Sequence, residues 1–216
     1  ISEILQIRDL ISGTHKINTK NSKLWIESQL TEGRKNAAFN LIKNTYYFTL
    51  NYTFEHIRNS IISFYSQLDL KYDIYLYIGK PTGSFHFIGI IAIYYIKLLN
   101  LKLPKIVDLM DISNAQYLIF DDCSYTGSQL SQLLERRNYL NNTFYLSVVA
   151  ITTIAKKSIK KSLQKSTNTN LIIYSENIIN PLSEQVDNYE DIIYYFSPFT
   201  PFDTNVSLYF DHKIAD

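Results

Sequence analysis

The sequence has few cysteines, which could form disulfides or bind metal, and few glycines and prolines, which interrupt helices and strands. It has one cysteine in 216 residues, Cys123, so an internal disulfide is excluded. No two of His15, His56 and His86 lie three to five residues apart, which argues against structural zinc. Only 6 glycines and 5 prolines are present, so each one is informative about turns. A chain of this length buries enough apolar surface to fold without metal or disulfide support.

An excess of charge and a long apolar run are also missing. The 21 basic and 20 acidic side chains leave a net charge of +1, which argues against general nucleic-acid binding. The longest apolar candidate, residues 85–103, is interrupted by Lys97 and Lys102, so we expect no membrane span. The chain opens without a charged leader followed by an apolar stretch. We therefore expect a cytoplasmic protein.

The sequence does contain short apolar strands that alternate with helices. Strands are predicted at residues 72–78, 105–110, 117–120, 144–151, 171–174, 191–196 and 206–210. Helices are predicted from a cap at Thr53 to residue 69 and at residues 88–99, 128–137 and 155–164. Fully apolar strands between helices predict an α/β fold with a doubly wound, mainly parallel sheet. We expect residues 1–52 to form a helical extension or cap and residues 53–216 to form the α/β core.

The segment after the predicted strand 117–120 carries the most chemistry. Two carboxylates, Asp121 and Asp122, can accept hydrogen bonds from vicinal hydroxyls or hold a hydrated divalent cation. Residues 126–129 place backbone amides at a helix start, where a phosphate is favoured. These dimensions suit a ribose 5-phosphate. The simpler alternative is that the aspartates only end a strand and Ser128 only caps a helix.

An apolar strand, an acidic pair, three spacers and Thr-Gly-Ser at a helix start resemble the phosphoribosyl-binding loop of the type I phosphoribosyltransferases. The resemblance implies a phosphoribosyltransferase-like fold, with Asp121 and Asp122 as catalytic residues and ligands of Mg. It also implies that the ribose and its 5-phosphate are bound by Asp121, Asp122, Cys123, Ser124, Tyr125, Thr126, Gly127, Ser128 and Gln129.

The same resemblance gives an interpretation of two other segments. The loop after the strand 72–78 would hold pyrophosphate through Gly79, Lys80, Pro81, Thr82, Gly83 and Ser84. Lys80 supplies the positive charge, although a solvated turn lysine is the simpler reading. The segment Asp211, His212 and Lys213 would contact the base of the second substrate, or would be a polar chain end.

The functional hypothesis is transfer of the phosphoribosyl group from phosphoribosyl pyrophosphate, with Mg, to a nucleobase-like acceptor. About fifteen residues separate the apolar helix from the strand before Asp121, which is short for a loop that closes over a substrate. Tyr125 stands where the 6-oxopurine enzymes have an acidic base, which disfavours that subfamily. The alternative is a noncatalytic module of the same fold that senses nucleotides or serves a larger assembly. The sequence leaves open whether the chain forms a homodimer.

Overall fold

A computed structural model describes residues 19–79, 83–135, 141–163, 169–196 and 208–210. The chain divides into two compact units, one made of residues 1–52 and 180–216 and the other of residues 53–179. The helices are α1 (Thr19–Glu27), α2 (Glu32–Lys43), α3 (Leu50–Tyr65), α4 (Ser84–Leu98), α5 (Ser128–Glu135), α6 (Thr153–Leu163), α7 (Leu182–Gln185) and α8 (Tyr189–Phe196). The strands are β1 (Tyr46–Phe48), β2 (Ile74–Tyr77), β3 (Lys105–Val107), β4 (Gln116–Ser124), β5 (Thr143–Thr152), β6 (Asn170–Tyr174), β7 (Asn177–Ile179) and β8 (Leu208–Phe210).

The unit formed by residues 53–179 contains a parallel six-stranded sheet. Its strands run in the order β3, β2, β4, β5 and β6, and β7 pairs with the end of β5. The long central strands β4 and β5 are almost completely buried, as their continuous apolar sequences predict. The predicted α/β class with a mainly parallel sheet is therefore confirmed.

Helices cover both faces of this sheet. One face packs Tyr117 and Ile119 of β4 in a core cluster with Leu130 and Leu134 of α5. On the other face, the ring of Phe64 in α3 contacts the rings of Phe120, Tyr145 and Tyr174 on three neighbouring strands. These aromatic contacts bury the centre of the sheet between two helical layers. Within the described ranges, no helix is both long enough and apolar enough to cross a membrane.

The unit formed by residues 1–52 and 180–216 has a separate small core. Ala37 and Ala38 of α2 pack against Ile192 and Phe196 of α8. Strands β1 and β8 pair in parallel, and the rings of Phe48 and Phe210 stack with centroids 5.1 Å apart. The short side chains of Ala37 and Ala38 let α8 pack close to α2.

Two predictions about secondary structure are wrong, one about the type of an element and one about where a helix begins. The sequence predicts a strand at residues 191–196, but these residues belong to helix α8, in which Ile192 and Phe196 are buried four residues apart on one face. The sequence predicts Thr53 as a helix cap, but this residue lies inside α3. The cap is Thr49, whose Oγ1 accepts a hydrogen bond from the amide of Tyr52 at 3.1 Å.

Candidate functional site

The strand order creates a position where ligands bind in sheets of this kind. The chain passes from β2 to β3 on one side and then returns across β2 to β4, β5 and β6 on the other. Right-handed crossovers therefore place α4 and α5 on opposite faces of the sheet. In open parallel sheets the usual ligand position is the carboxyl edge at such a switch point, which here lies between β2 and β4. Both loops singled out by the sequence lie at this switch point.

Strand β4 continues past its apolar stretch and includes both aspartates. The sequence predicts that the strand ends at Phe120, but its pairing with β5 extends to Ser124, which lies opposite Ile151. The uninterrupted apolar strand β5 supplies the backbone partners, so the acidic pair does not end the ladder. Because side chains alternate along a strand, Asp121 lies on the face of Ile119 and Asp122 on the face of Phe120.

Both aspartates are buried, with 3% and 0% of their surface exposed. Oδ1 of Asp121 accepts a hydrogen bond from the amide of Asp122 at 3.0 Å. Oδ1 of Asp122 accepts one from the amide of Cys123 at 2.6 Å. In each case the donor is the amide of the following residue. Asp121 is the one on the face that also carries α5.

Ser84 connects the two loops. Its Oγ donates a hydrogen bond to Oδ1 of Asp121 at 2.7 Å, although the residues are 37 positions apart in sequence. Ser84 is the first residue of α4, and Gly83 precedes it in extended conformation. Gly79 has a φ of +60°, which glycine adopts without strain and which turns the chain away from β2. The hydrogen bond of Ser84 places the start of α4 at the end of β4.

The start of α5 is built around Thr126 and Gly127. Oγ1 of Thr126 accepts a hydrogen bond from the amide of Ser128 at 3.2 Å and lies 2.7 Å from Oγ of Ser128. Gly127 has a φ of +73°, and a Cβ atom there would lie 2.8 Å from the carbonyl oxygen of Ala155. Only glycine fits this bend. The first amides of an α-helix have no partner within the helix, so the start of α5 is a favourable position for an anion.

Thr152 holds this bend in place, and no motif in the sequence pointed to it. Its hydroxyl donates a hydrogen bond to the carbonyl oxygen of Tyr125. The same oxygen accepts a hydrogen bond from the amide of Ala155 at 2.9 Å and so caps α6. Thr152 is 1% exposed. The strand, the bend and the start of α6 are therefore joined through one buried hydroxyl.

Tyr125 is partly buried beside Cys123 and Asp122. Burial raises the pKa of its hydroxyl, and the neighbouring Cys123 and Asp122 raise this pKa further. The phenol is therefore protonated at neutral pH and acts as a hydrogen-bond donor rather than as a base. This property suits a residue that orients a ligand oxygen.

Several predicted residues lie outside the described ranges, namely Lys80, Pro81, Thr82, Asp211, His212 and Lys213. His86, in the first turn of α4, has a buried Nδ1 atom without a hydrogen-bond partner in the described part of the chain. The described ranges contain no cluster of three or more acidic, histidine or cysteine side chains that could hold a metal ion. Because Asp121 and Asp122 lie on opposite faces of β4, a Mg ion would be held by Asp121, which is sufficient for an ion commonly bound through one or two carboxylates together with substrate phosphates.

Comparison with protein-family models found no match, and comparison with curated protein sequences found none either. The functional inference therefore depends on the residues of the two loops and on their geometry.

Proposed function

We propose that the carboxyl edge between β2 and β4 binds a phosphorylated sugar of the phosphoribosyl pyrophosphate type and transfers its phosphoribosyl group to a nitrogenous base. The observation that carries this proposal is the hydrogen bond of 2.7 Å between Ser84 and Asp121. It joins the loop assigned to pyrophosphate to the strand end assigned to ribose. Phosphoribosyl pyrophosphate carries a phosphate and a pyrophosphate on the same ribose. A site for it therefore needs the two loops to lie next to each other.

The binding roles follow from the chemistry of each group. The carboxylate of Asp121 accepts hydrogen bonds from the ribose hydroxyls, and Asp122 behind it adds negative charge. The amides at the start of α5, between Thr126 and Gln129, hold the 5-phosphate. The residues from Gly79 to Ser84 hold pyrophosphate, with Lys80 as the cation. Asp211, His212 and Lys213 contact the acceptor base.

In the reaction, a ring nitrogen of the acceptor forms a bond to the anomeric carbon while the bond from that carbon to pyrophosphate breaks. The leaving pyrophosphate takes the bonding electron pair. Residues of the two loops orient the anomeric carbon and stabilise charge, and no protein nucleophile takes part. Bound Mg would be held through Asp121 together with phosphate oxygens and would neutralise the charge of the leaving group.

A second candidate function is binding of the same ligand without turnover. Only residues 108–115 separate β3 from β4, so little chain is present there to close over the site. Closure excludes water from a reactive sugar centre, and a site that stays open loses rate or admits hydrolysis. A nucleotide-sensing or structural module needs no such closure.

The first experiment measures binding of phosphoribosyl pyrophosphate with Mg by isothermal titration calorimetry. We expect Asp121→Asn to weaken binding by roughly tenfold to a hundredfold, since a hydrogen bond to a charged group contributes about 1.5–3 kcal/mol. The matched control is Asp73→Asn. Asp73 precedes β2 at the opposite edge of the sheet and pairs with Lys105 at 2.6 Å.

Thermal unfolding of each variant separates lost binding from lost folding. Equal affinity in the wild type and in a folded Asp121→Asn variant would refute the assignment. The second experiment measures pyrophosphate release with a panel of bases. Release that depends on the base identifies the transferase, whereas binding without release identifies the noncatalytic module.

A further inference from the structure

Basic side chains are concentrated in one segment of the chain, although the net charge is only +1. Residues 136–175 contain seven of the 21 basic side chains and none of the 20 acidic ones. The segment therefore has a formal charge of +7, and the rest of the chain has a formal charge of −6. Such a separation of charge marks a surface that attracts an anionic partner, even where the net charge of the whole chain is close to zero.

Helix α6 presents four of these basic side chains on one side. We call this side the lysine face, and it consists of Lys156, Lys157, Lys160 and Lys161. At about 100° per residue the four positions span an arc of roughly 140°, and the buried residues of α6 occupy the opposite side. Lys156 is half-buried and the other three lysines are exposed. Within the described ranges, none of the four forms an ion pair with an acidic side chain.

The positions of these lysines do not favour the helix itself. Lys156 and Lys157 lie near the N-terminus of α6, where the helix dipole disfavours positive charge. Each of them is followed four residues later by another lysine, and like charges at this spacing repel each other. The dipole favours only Lys160 and Lys161, in the last turn. Helix formation therefore does not account for the lysine face, whereas an anionic partner would neutralise it.

We infer that the lysine face of α6 binds the phosphate backbone of a nucleic-acid duplex without reading its sequence. Contacts between lysine and phosphate supply most of the affinity in nonspecific binding of this kind. Successive lysines of one row lie about 6 Å apart along α6, from a rise of about 1.5 Å per residue. A duplex carries one negative charge per roughly 1.7 Å of its axis, so several phosphates lie within reach of the four ammonium groups. This inference does not depend on the ligand proposed above.

Three other kinds of partner fit the lysine face less well. A helix on a membrane surface buries an apolar face in the lipid, but Ala155 and Ile159 face the core and Ile154 is the one exposed apolar residue of α6, at 46%. The cores of protein–protein interfaces are depleted in lysine and enriched in aromatic residues and arginine. Proteins that bind single strands stack the bases on aromatic rings, and the α6 sequence contains no aromatic residue.

Fluorescence anisotropy of a short labelled DNA duplex, titrated with the full chain between about 50 and 200 mM salt, tests the inference. The logarithm of the affinity should fall against the logarithm of the salt concentration with a slope of about −3.6, which corresponds to four phosphate contacts. The double variant Lys157→Gln with Lys161→Gln should bind at least about tenfold more weakly, with a slope that is shallower by about 1.8. The matched control is Lys71→Gln with Lys97→Gln, two exposed lysines of the same unit. It changes the net charge equally and should keep the wild-type slope.

Thermal unfolding verifies that both double variants are folded, and two further probes separate the duplex from other anions. These probes are the single strand of the same sequence and vesicles that contain phosphatidylserine. A wild-type chain that does not bind the duplex at about 50 mM salt would overturn the inference. So would a control variant that loses as much affinity as the variant of the lysine face. Tighter binding to the single strand, or binding to the vesicles but not to the duplex, would overturn the choice of partner.

Discussion

His56 makes the stability of the fold depend on pH. Its side chain is completely buried in α3, and neither ring nitrogen has a hydrogen-bond partner in the described ranges. The ring packs on Tyr174 with centroids 5.1 Å apart, and Nδ1 lies 4.0 Å from a carboxylate oxygen of Glu176. Burial lowers the pKa of His56 from 6.5 to about 4, and the half-exposed Glu176 offsets only part of this.

The sign of the effect follows from the lowered pKa. Between pH 6.5 and 4 the unfolded chain binds a proton at His56 that the folded chain does not bind. The contribution to stability is therefore fully present above pH 6.5 and is lost as the pH falls towards 4. A difference of roughly 2.5 pKa units corresponds to a loss of about 3 kcal/mol at the lower end of this window.

The assay is urea unfolding at a series of pH values between 7.5 and 4.5, on the wild type and on His56→Leu. The substitution removes the titrating group, so the variant should lose about 2–3 kcal/mol less than the wild type over this range. Other groups titrate in both proteins and cancel in the comparison. A His86→Leu control should keep the pH dependence that is due to His56. Parallel pH profiles for the wild type and His56→Leu would refute the reasoning.

Three further substitutions test the site. Gly127→Ala should cost about 2–4 kcal/mol in urea unfolding, because alanine must adopt positive φ and approach the carbonyl of Ala155; an unchanged midpoint would contradict the bend. Thr152→Val should cost about 1–2 kcal/mol, because it removes a helix cap and a buried donor while keeping the shape. Ser84→Ala should weaken phosphoribosyl pyrophosphate binding roughly tenfold in calorimetry, whereas Ser66→Ala, at an exposed serine, should not.

The sequence predicts the architecture of the sheet because the central strands are continuous apolar runs. Such runs are unambiguous when they alternate with helices, and the predicted strands at residues 117–120 and 144–151 lie within β4 and β5. Short elements are less well determined by local sequence, because the apolar pattern of residues 191–196 is compatible with either a strand or a helix. The residues form a helix because Ile192 and Phe196 then share one face, which packs against α2. A tertiary contact thus overrides local pattern.

The site could be predicted only in part. The acidic pair and the Thr-Gly bend are adjacent in sequence, so a motif can indicate them. The contact between Ser84 and Asp121 depends on β2 and β4 being neighbours, which local sequence does not specify. Thr152 acts through its position at the end of β5, where nothing in its surroundings resembles a motif. The phosphoribosyltransferase-like function stays a prediction.

The central claim is that the loops after β2 and β4 form one phosphate and ribose site. The most direct test is an amide spectrum of the isotope-labelled full chain, recorded during titration with ribose 5-phosphate and Mg. The account predicts that the amides of Gly127, Ser128 and Gln129 shift together with that of Ser84 at the same ligand concentration. Shifts confined to other parts of the chain, or shifts at the α5 start without any at Ser84, would contradict it.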